Sequence, residues 1–89
     1  MANRGTIVVV EDEWIVARDI QLTLQAAGYH VPAVAASGQE ALALIERERP
    51  DLVLMDIVLR GPLSGIETVQ RLALQVAPAV VYLTAHADD

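Results

Sequence analysis

Cysteine is absent from the 89 residues, which removes disulfides, thiolate metal sites and cysteine nucleophiles and leaves the redox compartment open. Aromatics are scarce. Trp14, Tyr29 and Tyr82 are the whole set, too few for a surface that stacks nucleic-acid bases. Six basic residues against twelve acidic ones give a net charge of −6. The basic residues do not cluster, so the phosphate-neutralising patch that nucleic-acid affinity needs is missing. Apolar runs are short and broken by charge, so no stretch is long enough to cross a bilayer. The opening MANRGT lacks the apolar core of a secretion signal. Neither a nucleic-acid partner nor a membrane is expected, and a cytoplasmic address is. With 54% hydrophobic residues in so short a chain, one small α/β domain is expected, with a core in which every buried element counts.

What is present is organised around Asp51 to Asp56. Four consecutive apolar residues, Leu52 to Met55, follow Pro50 and end at a lone carboxylate, Asp56. An apolar run without two-residue alternation reads as a strand buried on both faces, the habit of parallel sheets. Thr6 to Val10 is a second β-branched run, and it stops at Glu11-Asp12-Glu13. From Glu13 the period becomes helical, with Val16, Ala17, Ile20, Leu24 and Ala27 on one stripe and Gly28 as the stop. Glu13 there complements the helix dipole. Tyr29 to Ala36 reads as a strand. Ser37-Gly38 opens a helix that buries Ala41, Leu42 and Ile45 and runs to about Arg49. Gly and Pro mark residues 57–65 as a loop. Ile66, Val69, Ala73 and Val76 give a third helical stripe, Pro78 ends it, and Ala79 to Thr84 is a fourth strand.

Strand and helix therefore alternate as βαβαβαβ, which calls for parallel strands with right-handed crossovers and helices on both faces. In such sheets ligands bind beyond the carboxyl ends of the strands. Three of those ends carry polar groups: Glu11 and Asp12, Asp56, and Thr84. Neighbouring carboxylates repel unless a cation neutralises them, and Mg²⁺ is typically held by one or two carboxylates together with phosphate oxygens. A carboxylate can also accept a phosphoryl group as a nucleophile. Asp56, alone on a central strand, is the better nucleophile. Glu11 and Asp12 are better placed to hold the ion, and Thr84 to donate to a phosphoryl oxygen. No Gly-rich loop follows the first strand, which counts against a nucleotide-binding enzyme.

From IVVVEDE through PDLVLMDIVLRGPLSGIE to VVYLTAHADD, the chain resembles the receiver domain of two-component response regulators. The resemblance implies a flavodoxin-like parallel sheet of order 2-1-3-4-5 with helices on both faces. It implies that Asp56 is the phosphoacceptor, Asp12 the principal metal-binding carboxylate and Glu11 a second acidic ligand. The backbone carbonyl of Val58 would be a further ligand to the metal. Thr84 matches the switch hydroxyl and Ala85 the small residue that leaves the phosphoryl group room. The implied phosphodonor is a sensor histidine kinase or a histidine phosphotransfer protein, with Mg²⁺ as cofactor and no enzymatic activity beyond the domain's own phosphorylation and dephosphorylation. A complete receiver continues through a fourth helix, a fifth strand and a fifth helix. Residues 1–89 stop before them, so the family's catalytic Lys has no counterpart here, and truncation is expected rather than natural shortening.

Bland roles are expected for the remaining candidates: a packing or surface place for Trp14, no ligand role for His30 or His86, and a solvated loop charge for Arg60. The fourth strand is expected to be an open, apolar edge, and Ile15 and Leu22 to be uncovered where a fifth helix would pack. Self-association of the 89-residue chain through that edge is expected, and the alternative to the phosphoacceptor function is a phosphorylation-independent, self-associating interaction module or an inert receiver fragment.

Overall fold

Apolar runs make the inner strands, β-branched in Ile7 to Val10 and mostly unbranched at Cβ in Leu52 to Met55, and the parallel pairing of those strands sets the rest. The computed structural model describes residues 4–57, 59, 61–72 and 78–83. Its elements are β1 (Ile7–Val10), α1 (Trp14–Ala26), β2 (Val34–Ala35), α2 (Gly38–Glu48), β3 (Leu52–Asp56), α3 (Gly65–Leu72) and β4 (Ala79–Leu83). The four strands form one parallel sheet in the order β2-β1-β3-β4, the flavodoxin-like order expected for these strands.

Alternation along each strand divides the core between the two faces of the sheet. On one face Val8, Val10, Val53 and Met55 are buried against Ala41, Leu44 and Ile45 of α2, with Val69 of α3 packed beside them. On the other, Ile7, Val9 and Val31 are covered by Ile20 and Leu24 of α1. The helices thus lie on both faces. Burial of β3 is less even than its apolar run suggests: Val53 and Met55 are fully buried, while Leu52 and Leu54 are only half-buried. The cause is the position of α1, which packs against β1 and β2.

Local chemistry corrects several expected boundaries. The strand expected over Tyr29 to Ala36 shrinks to Val34–Ala35 and a single bridge between Thr6 and His30. Pro32 has no N–H for a ladder. The Val31 carbonyl accepts instead from Gln21 Nε2 at 3.0 Å and Gln25 Nε2 at 3.2 Å. Gln21 accordingly occupies the buried face of α1, where Ala17 is also buried, and Val16 is turned out at 38% exposure. Glu13 is the N-cap of α1 without a side-chain capping bond. On α3 the inner residues are Thr68 and Val69, and Ile66 is exposed. Ala73 and Val76, the remaining members of that stripe, lie outside the described residues.

The helix termini are chemically explicit. Ser37 caps α2 by accepting the Glu40 N–H at 3.2 Å, and Glu40 Oε1 accepts the Ala36 N–H at 3.2 Å. Arg49, in the left-handed region at φ 49°, ends α2, just before Pro50. Ser64 and Glu67 form a reciprocal capping box: Ser64 Oγ accepts the Glu67 N–H at 3.1 Å, and Glu67 Oε1 accepts the Ser64 N–H at 3.0 Å. The Ser64 N–H holds the Glu67 carboxyl below its ordinary pKa. Among the described residues, no helix is long and apolar enough to cross a membrane.

Candidate functional site

The register of β1 against β3 builds the site. Val10 pairs with Met55, so Glu11, just past the end of β1, and Asp56, the last residue of β3, lie side by side at the carboxyl edge of the sheet. Asp12 follows Glu11 at the entrance to α1. Glu11, Asp12 and Asp56 each offer a carboxylate oxygen, and these oxygens lie within 4.8 Å of one another. Glu11 is 4% exposed, whereas Asp12 and Asp56 are half-buried.

Electrostatics follow from that geometry. Two full negative charges at this separation repel by about 3 kcal/mol at an effective dielectric of about 20, so a counter-charge placed among these groups is favourable. Glu11 shows the strain. Burial, then the neighbouring carboxyl groups of Asp12 and Asp56, push its pKa up to about 7, against the opposing hydrogen bond that Glu11 Oε2 accepts from the Glu13 N–H at 3.1 Å. An all-oxygen donor set of this kind fits a hard divalent cation that retains water.

Backbone around Asp56 is pinned from the far side. Gly65 donates its N–H to the Ile57 carbonyl at 3.0 Å. A Cβ at Gly65 would overlap the Asp56 carbonyl oxygen and stand 2.9 Å from Ile57 Cα, so the first residue of α3 must be glycine for the helix to rest on the end of β3. Sequence reasoning saw Gly65 only as a loop marker. The S-x-x-E spacing of Ser64 and Glu67 was the signal that would have placed the helix start there.

Of the residues singled out from sequence, Glu11, Asp12 and Asp56 are brought together, whereas Val58, Thr84 and Ala85 lie outside the described residues, as do Arg60 and His86. His30 is exposed and lies at the bridge to Thr6, not in the acidic cluster. Trp14 is 73% exposed, two positions from Asp12.

A four-stranded parallel α/β sheet of order 2-1-3-4 with clustered acids at its carboxyl edge defines a signalling receiver of flavodoxin-like fold. The sequence pattern of the response regulator receiver domain matches residues 7–89, and the chain belongs to that family. The transcriptional regulatory protein AfsQ1 of Streptomyces coelicolor is 33% identical over 94% of this chain and 36% of its own length. The response regulator PhyR of Brucella abortus has a crystal structure with a TM-score of 0.83 at 36% identity, over 91% of this chain and 33% of that one. The N-terminal domain of a response regulator receiver protein from Methanoculleus marisnigri gives 0.84 at 35% identity, over 93% of this chain and 68% of that one. The chain thus spans little more than a third of AfsQ1 and a third of PhyR.

Proposed function

We propose that this receiver is a phosphorylation switch in which Asp56 accepts a phosphoryl group from a phosphohistidine on a sensor kinase or phosphotransfer protein. The supporting observation is the convergence of Glu11, Asp12 and Asp56 at adjacent strand ends. Glu11, Asp12 and Asp56 would hold Mg²⁺, with the Val58 carbonyl as a further ligand, and the ion supplies the positive charge that the cluster and the phosphoryl oxygens share. An Asp56 carboxylate oxygen attacks phosphorus, the P–N bond breaks, and the imidazole leaves with its electron pair. Water later attacks the aspartyl-phosphate and releases inorganic phosphate. Thr84 donates to a phosphoryl oxygen, Ala85 leaves room for it, and the altered surface changes partner preference. A cytoplasmic location goes with this role.

Incubation with acetyl phosphate and Mg²⁺ tests the proposal. Acid-labile incorporation that disappears in Asp56→Ala is expected, and incorporation that persists in that variant would refute it. A Mg²⁺ titration followed by Trp14 fluorescence should saturate in the wild type and fail in Asp12→Ala.

A second property has its own support. The outer edge of β4, away from β3, and the exposed residues Ile15, Leu22, Val81 and Tyr82 favour self-association of the 89-residue chain, independent of phosphorylation.

A further inference from the structure

Thr68 is a polar residue of α3 with no exposed surface, and nothing in the proposed chemistry uses it. Its Oγ1 donates to the Ser64 carbonyl at 2.7 Å, which also receives the Thr68 N–H at 3.0 Å. The hydroxyl is pressed against Gly38 at the start of α2. A Cβ at Gly38 would overlap Thr68 Oγ1 and stand 2.7 Å from Leu63 Cβ.

Both ends of this contact lead to the acidic cluster. From Thr68 the path runs through Ser64 to Gly65, which rests on the Asp56 carbonyl and donates to Ile57. From Gly38 it runs through the Ser37 cap to Glu40, whose carboxylate accepts the Ala36 N–H. The carbonyl of the preceding residue, Ala35, accepts the Glu11 N–H at 2.9 Å. The strand ends that carry Asp56 and Glu11 are therefore joined twice, once through the sheet and once through the starts of α2 and α3. The second connection closes at two glycines, Gly38 against the Thr68 hydroxyl and Gly65 against the Asp56 carbonyl.

We propose that Gly38, Thr68 and Gly65 form a positioning strut that sets the separation of Asp56 from Glu11 and Asp12, and with it the metal affinity of the cluster. The strut rests on the reading of that cluster as a divalent-cation site. None of its three residues belongs to the carboxylate cluster. A methyl group at Gly38 forces α2 away from Leu63 and Thr68, and the displacement reaches Asp56 through Gly65. Because alanine is the better helix former, helix propensity alone predicts no harm from the same substitution.

The test is Gly38→Ala in the 89-residue chain, with Leu24→Ala, which loosens packing on the opposite face of the sheet, as the control for general destabilisation. Mg²⁺ affinity followed by Trp14 fluorescence should weaken about tenfold in Gly38→Ala and stay within twofold of wild type in Leu24→Ala. Adding Thr68→Ala, which removes the hydroxyl that the new Cβ meets, should recover about threefold of the loss. In the metal-free protein the amide resonances of Glu11, Asp56 and Ile57 should move in Gly38→Ala. Should that variant fail to fold, Thr68→Ala alone should move the same resonances. Unmoved resonances, or an affinity loss equal to that of Leu24→Ala, overturn the strut. A wild-type protein indifferent to Mg²⁺ overturns the cation-site reading, and the metal-free resonances still decide the strut.

Discussion

Glu11 carries the largest electrostatic cost among the described residues. Its pKa in the fold lies near 7 against an ordinary 4.5, so folding favours the neutral form. The stabilisation is complete below about pH 4.5 and is lost as pH rises through 7, by at most about 3 kcal/mol. Urea midpoints of metal-free protein should therefore fall between pH 5 and pH 8, less so in Glu11→Gln, and Mg²⁺ should restore the loss at pH 8. A pH slope equal in wild type and Glu11→Gln would place the cost elsewhere. The carboxylates were legible in the sequence because each follows directly on an apolar run. Gln21 and Thr68 were not, since a buried polar residue is recognisable only when its partner, the Val31 or Ser64 carbonyl, is known.

At the scale of elements, β3 is one of the two inner strands. It pairs on both sides, and Met55 is fully buried between β1 and β4. Met55→Ala should cost about 2–5 kcal/mol in chemical denaturation. For a domain of this size that is a large share of a total near 4–13 kcal/mol. Ser64→Ala, which removes half of the α3 capping box, should cost about 1 kcal/mol in the same measurement. The inner strands were readable because short, unbroken apolar runs have few alternatives to burial. The short β2 was overread because Tyr29 to Ala36 is apolar enough for a strand, yet Pro32 and the glutamines of α1 take its backbone out of the ladder. The face of α3 was misassigned at Ile66 because its first helical residue is fixed by contact with Asp56 and Ile57, not by periodicity.

For the molecule as a whole, apolar surface is unevenly covered. Ile15 is 69% exposed, Leu22 48% and Val81 47%, on a protein whose net charge of −6 otherwise opposes association. Sedimentation of the 89-residue chain should show concentration-dependent species, and Val81→Lys, which places a charge on the edge strand, should return it to monomer. A wild type that remains monomeric at high concentration would remove the self-association proposal and leave the phosphoacceptor role untouched.

One of the two inner strands of this sheet, β1, is also made before its neighbours. β1 lies between β2 and β3, and Thr6, at its foot, bonds to the Asp51 carboxylate 45 residues later in the chain. During translation the run Ile7 to Val10 leaves the ribosome without either neighbour, and its principal partner follows only several seconds afterwards at about 5–20 residues per second. Until then this wholly aliphatic run has neither of its neighbouring strands to pair with. The aliphatic run is therefore exposed for that interval, and the yield of the protein in cells should depend on how quickly residues 52–56 are made.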